Sequence, residues 1–477
     1  MKKRHLILIS FLLIYVSVIA YHQLKDVPEG VSYSGDMHSL AEEDVSFIYD
    51  LTYEQDGEEI YEHSIFDEVF SLIEEAEEFL IVDMFMINES SDESRDFPSL
   101  SADFSAKIKQ QMEDNPDLNV IIITDHVNTT YRSHEAEHID PLADLGAEVI
   151  YTDLTELRDP NLLYSGIWRM FFQWFGQSGT GWLPNALGST SPDVTFRSYL
   201  KVMNLKANHR KAVISENSGM YLSANAHDAS AYHSNIAFRV TGPILQDMIE
   251  VEKAVSAFSG GDDSLFPTNI SASEDTSNEG PIQAQVVTER EIEHAIIDAL
   301  DQAMEEDDVW IGMFYLSDRH IIEAIEQAAD RGVNVRLILD PNENAFGQEK
   351  IGLPNIPVAS ELLNRDDNNI QIRWYNVNEE QYHSKMIYVR RGDESQVIGG
   401  STNYTSRNLD DYNLENNLNF IAPNNSEFIE EVDDYFTRIW QNDDAEYTVD
   451  YDTYGDSLSS ARYVLYFMQK TLRMTTY

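Results

Sequence analysis

The chain has 477 residues, with 84 Asp and Glu against 32 Lys and Arg, a formal net charge of −52, and no cysteine. That length fits two or three domains of roughly 150 residues, or one large duplicated unit, and 42% hydrophobic residues suffice for a core. The charge argues against general nucleic-acid coating, which needs rows of cations for the phosphates, and the missing cysteines exclude disulfides, thiolate metal sites and a cysteine nucleophile.

In chain order, Lys2, Lys3 and Arg4 precede an apolar run from Leu6 to Tyr21, 16 residues in all. Such a run is long for the core of a cleaved signal and short of the roughly 20 residues that span a bilayer comfortably. Residues 1–25 are read as an uncleaved membrane anchor, with a removed signal as the alternative. Either way the basic start stays in the cytoplasm and the acidic remainder lies outside, at the cell membrane or secreted. Residues 26–60 are expected to form an exposed acidic stalk.

Two stretches then repeat one order of elements. A helical pattern over 66–79 leads to an apolar strand over 80–87, and a helix around 103–113 leads to a strand over 119–125. Later, a helix over 291–304 precedes a strand over 309–317, and a helix over 320–332 precedes a strand over 334–340. The helices have apolar residues at three- and four-residue spacing, and the strands are near-continuous apolar runs, as in a sheet covered on both faces. The chain is therefore a tandem α/β repeat. Its first half covers 61–258, a Ser-, Gly-, Asp- and Asn-rich linker covers 259–281, and the second half covers 282–445.

Each half ends in a strand pattern that opens with His-x-Lys. The first supplies His209, Lys211, Ser223 and Asn225; the second supplies His383, Lys385, Ser401 and Asn403. Two-residue spacing on a strand turns His and Lys to one face. Imidazole can serve as nucleophile or proton donor near neutrality, and an ammonium suits a phosphate oxygen. Two sets supply one histidine to attack and one to protonate the leaving oxygen, as a phosphodiester displacement requires.

This doubled motif resembles the phospholipase D superfamily, whose signature runs His-x-Lys, an Asp, then Gly-Ser-x-Asn, usually carried twice. The resemblance spans roughly 60–445. It implies an α/β fold: a tandem duplication of an α/β sandwich unit with mixed sheets flanked by helices, both motifs lining one active site where the halves meet. It also implies a phosphohistidine intermediate and no metal or cofactor. Some positions depart from the signature. The Asp is Glu216 in the first motif and Arg390 in the second, and the first Gly-Ser-x-Asn reads Leu222-Ser223-Ala224-Asn225. Related proteins carry a carboxylate beyond the Asn that orients the histidine. Glu415 matches it in the second half, whereas the first half has Ala237 there, with Asn235 close by. A carboxylate makes imidazole more basic, which favours His383 as nucleophile, while family precedent favours His209. Lys211, Lys385, Asn225 and Asn403 are expected to hold the non-bridging oxygens, with Ser223, Ser401, Glu216 and Asn235 in support.

A competing pattern, His134-Glu135-Ala136-Glu137-His138, fits the His-Glu-x-x-His zinc motif. Its polar surroundings lack the apolar face of a buried zinc helix, so it reads as a solvated helix face. An aromatic insert over 160–190 holds Trp168, Phe171, Phe172, Trp174, Phe175 and Trp182. It is read as a lid packed on the core or as a membrane-docking surface. Residues 446–477 are expected to end in a packing helix. The resulting expectation is a membrane-anchored phosphodiester-cleaving enzyme with a phospholipid substrate, hydrolysing it or transferring the phosphatidyl group as cardiolipin synthase-like relatives do. A nuclease of the same superfamily and an inactive lipid- or partner-binding scaffold are the alternatives.

Overall fold

The computed structural model describes all residues except 1–2, 92–95, 162, 177–178, 187, 189, 269–279, 346–347, 366–368, 456–462, 465 and 467–477. Residues 269–279 of the expected linker and most of the expected C-terminal helix therefore lie outside the described residues.

The repeated elements form as their patterns dictate. In the first half the helices are Ile65–Glu75 and Leu100–Asp114, and the strands they lead to are Phe79–Met84 and Asn119–Thr124. In the second half the helices are Arg290–Gln302 and Arg319–Asp330, and the strands are Asp308–Met313 and Asn334–Leu339. Helix Arg319–Asp330 shows the cause. Ile321, Ile322, Ile325, Ala328 and Ala329 make one buried stripe, and the Asp318 carboxylate accepts the first free N–H groups, from His320 at 2.9 Å and Ile321 at 3.1 Å.

Each half builds a mixed sheet with the same central order. In the seven-stranded sheet, Ile236–Val240, Gly219–Leu222, Lys211–Ser215, Phe79–Met84, Asn119–Thr124 and Glu148–Tyr151 follow one another, the last three parallel. In the nine-stranded sheet the equivalents are Asn416–Pro423, Glu394–Gly400, Lys385–Arg391, Asp308–Met313, Asn334–Leu339 and Ile370–Tyr375. The two sheets share one core, into which helices Ile244–Ser259 and Glu427–Gln441 also pack. Phe238 and Phe420 meet there from opposite halves at 5.2 Å. Helices Ile65–Glu75 and Leu100–Asp114 cover the outer face of one sheet, and Arg290–Gln302 and Arg319–Asp330 that of the other. Strand residues alternate accordingly: Met386 and Tyr388 face the shared core, Ile387 and Val389 the outer one.

Two expectations change. Residues 26–60 are not a stalk: Val31, Leu40, Val45, Phe47, Leu51 and Tyr53 are buried. Strand His38–Leu40 pairs with Ile282–Thr288 on one sheet, and Val45–Tyr49 pairs with Ile236–Val240 on the other, so this segment stitches the halves together. Apolar residues two apart, Val45 with Phe47 and Leu51 with Tyr53, face the core, which overrides the composition. Within 446–477, Thr448–Asp450 is an edge strand beside Ile370–Tyr375 rather than part of a helix. The N-terminal helix Lys3–Leu24 has no buried residue and is long and apolar enough to cross a membrane.

Candidate active site

Strands Lys211–Ser215 and Lys385–Arg391 run antiparallel to their neighbours, with Lys211 opposite Met84 and Lys385 opposite Met313. Both motifs thus begin at the carboxyl ends of the parallel strands, where open α/β sheets place ligands. A carboxylate after the next parallel strand fixes each approach. Asp125 accepts the Asn208 N–H at 2.8 Å, and Asp340 accepts the Tyr382 N–H at 2.7 Å, each just ahead of the histidine. Burial pushes Asp125 up to about 6 and Asp340 up to about 7. Phe85 and Phe314 also repeat. Each ring lies 5.0 Å from its own half's histidine, His209 or His383, and beneath its lysine, with Lys211 Nζ at 5.2 Å and Lys385 Nζ at 5.3 Å. These four residues were not anticipated, yet the signal is visible in the repeat: Met-Phe closes one strand of each half and Asp follows the next.

His209 and His383 line one cavity of about 340 Å³, together with Asn225 and Asn403. Each histidine is held by the opposite half. His209 Nδ1 is 3.0 Å from Glu415 Oε2, and His383 Nδ1 is 3.1 Å from Asn235 Oδ1. Ser401 Oγ donates to the same Glu415 oxygen at 2.6 Å, and Asn408 Nδ2 donates to the other. Ser223 Oγ donates to Asn235 Oδ1 at 3.1 Å, while Asn235 Nδ2 donates to the His233 carbonyl at 3.0 Å, which fixes the amide's orientation. The serines of both motifs therefore hold the residues that hold the histidines.

This arrangement reverses one inference. Glu415 serves His209 across the interface, not the histidine of its own motif, so the basicity argument moves from His383 to His209 and now agrees with family precedent. A second correction concerns Glu216. It lies beyond the end of its strand and accepts the backbone N–H groups of Glu77 at 2.6 Å and Phe79 at 3.3 Å, a structural anchor away from the cavity. Its counterpart Arg390 pairs with Asp433 at 3.0 Å.

The lysines are fully buried, and their ammonium groups donate to the carbonyls of the histidines two residues back, at 2.8 Å for Lys211 and 2.9 Å for Lys385. Burial lowers all four basic groups: His209 to about 4, Lys211 to about 7, His383 and Lys385 well below their usual ranges. Lys385, His233, Lys211 and His209 push His383 further down. A phosphodiester's negative charge at the cavity would oppose these shifts. The buried side-chain oxygens of Asn225 and Asn403 have no hydrogen-bond partner among the described residues. Leaving such an atom unpaired costs about 1–3 kcal/mol, and both sit where a ligand's polar groups could meet the amides.

Behind the histidines lies a fully buried ionic cluster. Arg210 donates to Glu289 from Nη2 at 2.7 Å and from Nε at 3.2 Å, with Glu252 at 3.5 Å. Glu289 also accepts the N–H of Glu415 at 3.0 Å. Asn208 Nδ2 binds Asp83 at 2.8 Å, and burial raises both Asp83 and Glu252.

The zinc-like pattern is not a helix and brings no ligands together. His134 Nε2 meets Thr130 at 3.0 Å, while His138 faces Glu89 at 3.9 Å. Among the described residues, Glu293, Asp318 and His320 are close enough to hold a cation. Their atoms are already engaged in the helix cap described above and in a 2.6 Å contact from His320 to Glu293.

Residues 296–440 match the family described as cardiolipin synthase, PLD-like domain. No curated protein matches the chain. Among solved structures, a phosphatidylserine synthase from Haemophilus influenzae Rd KW20 is similar at 12% identity and a TM-score of 0.54, over 96% of each chain. A polyphosphate kinase from Porphyromonas gingivalis is similar at 12% identity and a TM-score of 0.44, over 90% of this chain and 53% of that one. Nuc from Salmonella typhimurium, a phospholipase D family member, has 17% identity and a TM-score of 0.27, over 35% of this chain and 99% of that one. The matched domain lies in the second half, and the chain shares the fold of the first of these structures over nearly its whole length.

Proposed function

We propose that the protein is a phospholipase D-type enzyme that cleaves the headgroup phosphodiester of a phospholipid through a phosphohistidine on His209. The observation that carries this reading is the reciprocal holding of two histidines on one cavity, one by a carboxylate and one by an amide. His209 Nε2 would attack phosphorus as the bond to the leaving oxygen breaks, and His383 would deliver the proton that oxygen needs. The phosphorylated ring carries positive charge, which Glu415 balances. His383, held only by a neutral amide, gives up its proton more readily. Water or an alcohol, losing its proton to His383, would then displace His209, giving hydrolysis or phosphatidyl transfer. Lys211 and Lys385 supply the cationic field behind the phosphate, and Asn225 and Asn403 the polar wall. A phospholipid substrate is supported by the family match and by the apolar N-terminal helix.

The test is turnover of labelled phosphatidylglycerol in EDTA, with and without a primary alcohol. Metal-independent release, with a phosphatidyl-alcohol product when the alcohol is present, is expected. Inactivation by EDTA would sink the mechanism; cleavage of DNA with vesicle lipids untouched would replace the substrate.

The pH profile follows from the two depressed groups. His209 is the free base above about 4, and Lys211 is charged below about 7. His383 must in addition hold the proton it delivers, and its own value is pushed well below the usual range, so kcat/KM should be highest on the acid side of this window and should already be falling as pH rises toward about 7. A profile that climbs steadily into the alkaline range would contradict the assignment.

A further inference from the structure

The aromatic insert is laid along the N-terminal helix. Phe171 stacks on Phe11 with ring centres 6.2 Å apart, and Tyr15 donates its hydroxyl to the Leu163 carbonyl at 2.5 Å. At Gly166 the insert's backbone lies so close to the helix's side chains that a Cβ would lie 2.6 Å from Ile19 Cγ1 and 2.9 Å from Tyr15 Cε2. At 1.5 Å per residue, Tyr15 is about 14 Å and Phe11 about 20 Å from the helix end at Leu24. The insert thus follows the apolar helix for most of a leaflet and beyond. A polar clamp closes its base: Asp159 N–H to the His22 carbonyl at 3.0 Å, Lys25 Nζ to the Thr155 carbonyl at 3.0 Å, and Arg158 Nε to the Lys25 carbonyl at 2.9 Å.

The outward face of this insert is apolar. Trp174 is 76% exposed, Phe175 60% and Trp182 67%, with Leu163, Ile167 and Phe171 also exposed. Charged residues make up 24% of the chain, yet from Pro160 to Pro192 Arg169 is the single one. Arg169 is buried against Asp159, with Nε and Nη2 each 2.9 Å from a carboxylate oxygen. Water would solvate such a face poorly, and a chain this acidic has kept every carboxylate off it. The same excursion of the chain supplies Ala186, Val202 and Leu205 to the wall of the active-site cavity.

We propose that residues 163–175 enter the bilayer beside the N-terminal helix as a second membrane element that does not cross it, so that the enzyme takes its lipid from the bilayer that holds it. The membrane contact stands on the packing and exposure alone; the uptake of substrate from that bilayer rests on the proposed function.

The test uses the full-length protein in vesicles of phosphatidylglycerol and phosphatidylcholine, with bromine-labelled acyl chains as quenchers of tryptophan fluorescence. Strong quenching is expected in the wild type and a clear loss of it in Trp174→Phe; equal quenching in both would overturn the insertion. An exposed face covered instead by a second copy of the chain would show no acyl-chain quenching and a shift from dimer to monomer in Trp174→Glu, which also overturns it. For uptake, Trp174→Ser with Phe175→Ser should lower turnover of lipid in the enzyme's own vesicle about tenfold while leaving a water-soluble short-chain phosphodiester unaffected. An equal loss on both substrates would argue against the uptake route. A wild type inactive on both would refute the proposed function and leave the quenching result to decide the insertion.

Discussion

His209→Ala should abolish cleavage of every phosphodiester, whereas His383→Ala should spare bond breaking in substrates whose leaving group needs no proton. A general acid contributes about 10²–10⁴-fold, and a nitrophenolate leaves without it, so His383→Ala should still release one equivalent of nitrophenol per site before stalling. His209→Ala should release none. The reason lies in the crossed pairs: Glu415, at 3.0 Å, can balance a ring that becomes cationic when phosphorylated, while Asn235, at 3.1 Å, offers only a dipole. Mass spectrometry of alkali-quenched enzyme should find the adduct on His209 in both the wild type and His383→Ala. An adduct on His383, or loss of the burst in His383→Ala, would reverse the two roles.

Much of this could be read from the chain because the repeat is written in periodicity. The four helix-to-strand units form within a few residues of where their apolar spacing puts them, since burial of one stripe or one strand decides each locally. The motif residues at the cavity, both histidines and both asparagines, were likewise named from spacing. The crossed support was not legible. Glu415 lies 206 residues from His209, and Asn235 148 from His383, and spacing within a motif suggests only partners of the same half. Compensating changes hid more of the repeat. Where the first half buries Asp83 against Asn208, the second has Gly312 under Tyr382, and a Cβ at Gly312 would sit 2.5 Å from the Tyr382 hydroxyl. Polar pairing in one half and ring volume in the other fill equivalent space, so residue-by-residue comparison of the halves misses the match. In the segment 26–60 the acidic composition masks a two-residue period, Val45 with Phe47 and Leu51 with Tyr53, that buries these side chains.

Glu289→Ala should be among the most damaging substitutions away from the cavity wall. Arg210 is fully buried, and Glu289 provides its two closest charged contacts, at 2.7 and 3.2 Å. Removing one partner of such a pair costs about 3–5 kcal/mol because the remaining charge stays desolvated. Glu252, at 3.5 Å, is the other carboxylate beside Arg210, but burial disfavours its charged form, so the loss is softened rather than cancelled. The same side chain accepts the N–H of Glu415 and, through Oε2, that of Ser32 at 2.8 Å. It therefore positions the carboxylate that holds His209 while joining the start of the second half to the segment after the N-terminal helix. Glu289→Gln separates these duties: the amide oxygen still accepts the Glu415 N–H, but the charge opposite Arg210 is gone. Denaturant unfolding should show both variants destabilised, Ala more than Gln. Kinetics at a temperature where both remain folded should show kcat lowered in Glu289→Ala and largely restored in Glu289→Gln, with KM little changed, since orientation of the nucleophile counts only in the transition state. A kcat equal to wild type in Glu289→Ala would make the residue a purely structural pin and detach Glu415's placement from it.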